Sequence, residues 1–203
     1  MEFKDKFTKK AQREGYKSRA AYKLIQLNKK YRLIKRGDDV LDLGCAPGSW
    51  IQVCSKIVGL KGYILGIDIS KMKEFKEKHI EFLRQDITKK DIVDIINSTI
   101  KGKVRNGKFD VVTSDMAPRT RGIIHLDQEL SLELSARAFE LAKLFLKKHG
   151  NFLCKTFQSK EYDSFKKDVE KHFDFVKTQK PVASKKRSKE VFLVCKDYKG
   201  MNH

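Results

Sequence analysis

Lys155 stands near the end of Asn151-Phe-Leu-Cys-Lys-Thr-Phe, an otherwise apolar run. A lysine there is costly unless it is paired or partly wet. Ser114-Asp115-Met116-Ala117-Pro118 follows the apolar run 109–112 and sets a carboxylate and a rigid turn at a strand end. Asp42-Leu-Gly-Cys-Ala-Pro-Gly-Ser-Trp follows a third apolar run. There an acid ends a buried strand, Gly44 and Gly48 let the backbone turn tightly against a ligand, and a helix begins just past Gly48. The spacing is not G-x-G-x-x-G, so the loop fits a nucleoside cofactor without a long phosphate chain, and S-adenosylmethionine is the candidate.

Further acids end further strands. Asp68 closes Ile-Leu-Gly-Ile-Asp and can accept both hydroxyls of a ribose; its bland reading is a turn cap. Asp86 closes Phe-Leu-Arg-Gln-Asp and can accept from an adenine amine, or cap the helix that starts near Thr88. Asp42 is expected to orient the glycine loop through backbone N–H groups. Taken alone, Lys23 reads as a surface lysine on the first amphipathic helix, and Glu190 as an ordinary exposed acid.

These residues need a scaffold. Strand-like runs lie at 39–43, 63–67, 80–84, 109–114, 150–156, 173–178 and 191–195, with helical patterns at 18–31, 88–100, 126–148 and 165–173. Thr88 is the expected N-cap of the second helix, and Gly150 lies near the C-cap of the third. The alternation predicts an α/β fold: a Rossmann-like, doubly wound, mostly parallel sheet of seven strands with one antiparallel strand near the C-terminus. The last two strands read as a hairpin-like excursion. No repeat or linker divides residues 1–203, which read as a single domain with a basic N-terminal extension at 1–17.

Composition narrows the partners. No run approaches about 20 apolar residues, so no membrane span is expected. Four cysteines without C-x-x-C spacing read as buried thiols in a reducing, intracellular compartment, with no metal site. The acids Glu2, Asp5 and Glu14 weigh against a transit peptide. Net charge is +19, and residues 1–36 hold thirteen Lys or Arg against three acids. Residues 178–189 add five more basic residues and no acid. Clustering of this kind is the electrostatic footprint of a polyanion, although a lysine-biased solvated surface is the bland alternative. The candidate contacts are Lys9, Lys10, Arg13, Arg19, Arg119, Arg121, Lys185, Lys186 and Arg187.

Five motifs occur in order: Ser-Arg-Ala-x-x-Lys, Asp-Leu-Gly-x-Ala-Pro-Gly-x-Trp, Ser-Asp-Met-Ala-Pro, Lys-x-Phe-Gln and Ser-x-Glu-Val-x-Leu-Val. Together they resemble the FtsJ (RrmJ-type) ribose 2′-O-methyltransferases over residues 15–195. The resemblance implies a catalytic set of Lys23, Asp115, Lys155 and Glu190, and cofactor contacts at Gly48, Trp50, Asp68, Asp86 and Asp115. With Asp42, Gly44, Ala46, Pro47, Ile69 and Ile87, these form the candidate S-adenosylmethionine site. Ser49 departs from the glycine usual in bacterial members, and its small size should spare binding. The Ser-Asp-Met-Ala-Pro form resembles the large-subunit ribosomal RNA branch. The Phe-Leu-Cys-Lys-Thr stretch is similar to mitochondrial members, leaving mitochondrion, cytoplasm and nucleus open.

The implied substrate is RNA, since DNA has no 2′-hydroxyl. With no dedicated RNA-reading domain in view, the expected partner is a folded RNA or a preribosomal particle, met by a monomer. Lys155 is the implied base. Burial and Lys23 favour its neutral amine while Asp115 and Glu190 favour its ammonium, so base and positioning group both stand. Rival readings are a transfer-RNA or cap ribose methyltransferase, a catalytically silent RNA-binding relic, and a nicotinamide enzyme, which lacks its glycine fingerprint.

Overall fold

The structure is a computed structural model that describes residues 6–118, 122–184 and 188–200. Its strands are β1 (Val40–Leu43), β2 (Ile64–Asp68), β3 (Ile80–Arg84), β4 (Phe109–Ser114), β5 (Leu146–Phe157), β6 (Phe173–Gln179) and β7 (Glu190–Tyr198). They form one sheet in the order β3-β2-β1-β4-β5-β7-β6. β1 to β5 pair in parallel, and β7 runs antiparallel to both β5 and β6. The fold class read from the sequence is observed. The final strand is not an excursion, however: β7 inserts between β5 and β6, so Glu190 is paired against Phe157 inside the sheet.

The helices are α1 (Lys6–Arg13), α2 (Ala21–Tyr31), α3 (Ser49–Val58), α4 (Ile92–Ile100), α5 (Ile124–Phe145) and α6 (Tyr162–Glu170). None of the described helices is long and apolar enough to cross a membrane. Two core layers cover the two faces of the sheet. Leu41, Leu43, Val112 and Cys154 pack with residues of α4 and α5, whereas Val40, Val111, Leu153, Phe192 and Val194 pack with α2 and α3. Side chains alternate along a strand. Asp42, Thr113, Lys155 and Glu190 therefore share the face that meets α2.

Two local expectations are corrected. Thr88 does not cap α4, which starts at Ile92; its N–H and hydroxyl both donate to Asp86 Oδ1, at 2.9 and 2.7 Å. Gly150 is no C-cap, because α5 ends at Phe145 and passes straight into β5. Within the basic N-terminal extension, residues 6–13 form α1. Ala11 of α1 is buried with Tyr22 and Ala183, and the Phe7 and Tyr22 rings lie 5.6 Å apart.

Candidate active site

The cofactor loop is fixed by backbone geometry. Gly44 and Gly48 take φ of 73° and 99°, a left-handed region that favours glycine. The Gly44 and Cys45 N–H groups both donate to the Ile67 carbonyl, at 2.8 and 3.2 Å. The carboxylate that holds the loop is Asp68, whose Oδ2 accepts from Ala46 N at 2.9 Å while Oδ1 accepts from Ser70 N at 2.7 Å. The expected role of Asp42 is thereby corrected. As the third residue of β1 it points into the core, where Oδ1 accepts from the Thr113 hydroxyl at 2.7 Å and Oδ2 has no partner.

Burial, with the charges of Asp115 and Asp68 added, raises the Asp42 carboxyl to about 8, against the Thr113 hydrogen bond. Its native value exceeds its unfolded one, so the native state binds the extra proton between about pH 4 and 8. Asp42 thus subtracts stability progressively as pH rises through that window. Asp42→Asn is expected to melt at a higher temperature than the parent at pH 9, with a smaller gain at pH 6. Melting curves at the two pH values check this, and an equal offset at both contradicts it.

Beside the loop lies a cavity of about 510 Å³, within the roughly 300–1,000 Å³ usual for ligand pockets. Gly44, Ala46, Asp68, Ile69, Asp86, Ile87 and Asp115 line it, as expected from the sequence. Asp42, Pro47, Gly48 and Trp50 do not. Trp50 is buried, donates from its indole N–H to the Ala20 carbonyl at 3.0 Å, and ties α3 to the start of α2. A Cβ on Gly48 would meet Met72 and Phe75, so that glycine serves the close packing of the following loop. The lining residues that sequence reasoning missed include Ser70, Gln85, Met116 and Leu134. The first three flank acids already singled out, but Leu134 comes from α5 with no motif to mark it.

The implied catalytic residues converge from four elements. Lys155 of β5 donates to the backbone carbonyl of Asp115 and lies 3.0 Å from Asp115 Oδ1. Lys23 of α2 bonds Glu190 Oε2 at 2.8 Å and stands 3.8 Å from Asp115 Oδ1. Asp115 Oδ1 is thus flanked by two ammonium groups, yet it is buried with no hydrogen-bond partner. The contact with Lys155 is an ion pair without hydrogen-bond alignment. Burial works to raise the Glu190 carboxyl, but Lys23, the Ser184 hydroxyl and Lys155 together hold it below the usual range. Only 6% of the Lys155 side chain is exposed, so its pairing answers the burial cost noted from the sequence.

The residues present fit S-adenosylmethionine. Asp68 and Asp86 line the cavity with carboxylate oxygens whose lone pairs suit hydroxyl or amine donors, and Asp115, whose Oδ1 is ion-paired but accepts no hydrogen bond, lines the same cavity. The cysteines offer no competing nucleophile: all four are buried, and burial pushes their thiols up.

The basic candidates divide. Lys9 and Arg13 are exposed on α1, and Lys10 lies 3.8 Å from Glu14 and over the Tyr22 ring. Arg19 is half-buried, and its guanidinium donates to the Ala183 carbonyl. Arg119, Arg121, Lys185, Lys186 and Arg187 lie outside the described residues.

A doubly wound sheet, a nucleoside-sized cavity at its first loop and a lysine–carboxylate cluster at the cavity's edge define a Rossmann-like S-adenosylmethionine-dependent methyltransferase. The FtsJ-like methyltransferase family matches residues 16–198. The chain is 44% identical over 190 residues to an Acinetobacter baylyi protein named ribosomal RNA large subunit methyltransferase E, covering 94% of this chain and 85% of that one. A Methanothermobacter thermautotrophicus protein of the same name is 41% identical, covering 97% and 91%. A crystal structure from Plasmodium falciparum, described as a ribosomal RNA methyltransferase, superposes with a TM-score of 0.80 at 30% identity, covering 92% of this chain and all of that one. The chain belongs to the FtsJ-like methyltransferase family.

Proposed function

We propose that this enzyme methylates the 2′-oxygen of a ribose in large-subunit ribosomal RNA. The observation that carries the reading is the Lys23–Asp115–Lys155–Glu190 cluster, whose central carboxylate also lines the cofactor cavity. Bound in that cavity, S-adenosylmethionine supplies a methyl group on a sulfonium. Lys155 donates to the Asp115 carbonyl and faces its carboxylate, leaving a third N–H for the ribose 2′-oxygen. There it orients the nucleophile and stabilises the charge that develops on it, while the 2′-hydroxyl proton passes to water as the oxygen takes up the methyl group. Asp115 fixes Lys155 from one side and Lys23 from the other, and Glu190 holds Lys23. All four come from one chain, so a monomer suffices and no metal is needed for the step. Four buried, unpaired cysteines accord with a reducing, intracellular setting, and the mitochondrial resemblance of residues 152–156 favours that organelle.

Transfer of labelled methyl is compared on large-subunit RNA or particles, on transfer RNA, and on the same RNA with a 2′-deoxy target. Incorporation confined to the first supports the proposal, and equal labelling of the deoxy substrate contradicts it. The +19 charge also sets a salt dependence. Affinity for RNA is expected to fall by about a hundredfold or more between 50 and 200 mM salt. Filter binding across that range checks it, and a flat profile contradicts phosphate-mediated docking.

A further inference from the structure

The turn before β7 is built into the site more deeply than a connecting loop requires. Ser184 is 7% exposed and donates from its hydroxyl to Glu190 Oε1 at 2.8 Å. The opposite carboxylate oxygen, Oε2, is the one that holds Lys23. Glu190 therefore has one oxygen fixed from α2 and the other fixed from the turn. That turn is itself anchored to the chain around α2. The Ala183 N–H donates to Gln26 Oε1 at 3.0 Å, its carbonyl accepts from Arg19, and Ala183 is wholly buried against Ala11 and Tyr22. Ser184 N–H closes the turn on the Pro181 carbonyl at 3.0 Å.

We propose that Ser184 is a positioning residue for methyl transfer, acting through Glu190, and that Arg19 and Gln26 clamp its turn onto the helix that carries Lys23. The clamp makes a closed circuit: α2 holds the turn, Ser184 holds Glu190, and Glu190 holds Lys23 back on α2. A displacement of either element then moves both charged groups together, preserving their 2.8 Å contact. Arg19 works here as a brace between the basic segment and the turn. The inference rests on the reading of Glu190 as part of the catalytic set. The groups that act on its carboxylate are Lys23 from α2, Lys155 from β5 and the Ser184 hydroxyl, with Asp115 on the far side of Lys23.

The test is steady-state methyl transfer by the full chain with RNA and S-adenosylmethionine at saturation, across pH, for Ser184→Ala, Ser184→Thr and Glu190→Gln. Loss of a hydroxyl that favours the charged carboxylate raises the pH at which Glu190 takes up a proton. Ser184→Ala is therefore expected to lower kcat by about tenfold and to move the acid limb upward by about half a pH unit or more, with cofactor affinity unchanged. Ser184→Thr keeps the hydroxyl and should restore both. Should the alanine variant fold poorly, Ser184→Cys, similar in size with a weak donor, is expected to show the same limb shift. A parental kcat and acid limb in Ser184→Ala, with Glu190→Gln impaired, overturn the inference alone. Full activity in Glu190→Gln overturns the reading of Glu190 and the inference with it.

Discussion

Lys155→Ala is expected to lose methyl transfer by at least about 10²–10⁴-fold while binding S-adenosylmethionine nearly as well as the parent. Lys155 does not line the cofactor cavity, whereas its partner Asp115 does. Removing the lysine leaves Asp115 in place, with Lys23 still 3.8 Å away. The loss then falls on orientation and charge at the 2′-oxygen. Single-turnover rates read the first effect and calorimetric titration of the cofactor reads the second. A variant that fails to bind cofactor contradicts the assignment of Lys155 to the acceptor side. The pH–rate profile of the parent separates the two ways in which Lys155 can act. An activity that stays flat from acid to alkaline pH, with chemistry rate-limiting, excludes a titrating lysine base and leaves the positioning role.

The second large effect is expected at Gly44. Its φ of 73° is unfavourable for an L side chain, and a Cβ there would lie 2.2 Å from Met116 Cγ and 3.1 Å from Met116 Cα. The methionine side chain can swing away, but its backbone belongs to the turn that carries Asp115. Gly44→Ala is therefore expected to weaken cofactor binding by at least about tenfold, and the left-handed strain of about 1–2 kcal/mol should lower Tm by several degrees. It is also expected to slow transfer, since Asp115 must shift with Met116. Calorimetry and thermal melts of the variant check both. Parental affinity with parental Tm would show that the loop and the Asp115 turn are not in contact as described.

The strand-borne part of the site was legible because side chains alternate. Lys155 follows Leu153 on one face of β5, so a charge in that run had to emerge where α2 packs. The ends of β2 and β4 likewise placed Asp68 and Asp115 beside the loop. Asp42 was misread because an acid inside a short strand and one at its end look alike in sequence; only the register against Thr113 separates them. Thr88 looked like a cap until Asp86 was seen to take both of its donors. Trp50 lies in the first turn of α3, just past the loop, and serves the packing of α2 on α3. Arg19 carried no sequence signal for its contact, since Ala183 lies 164 residues away. The helix at 6–13 was more accessible: Phe7 and Ala11 are four residues apart, the spacing of one helical face.

The central claim is the identity of the acceptor atom. Total RNA from cells with and without the protein is mapped for 2′-O-methylation by resistance to alkaline cleavage, with Lys155→Ala as the inactive control. The account predicts a protected linkage in large-subunit ribosomal RNA that disappears without the protein and is not restored by Lys155→Ala. A methyl group on a base, or a protein-dependent linkage confined to transfer RNA, would contradict it.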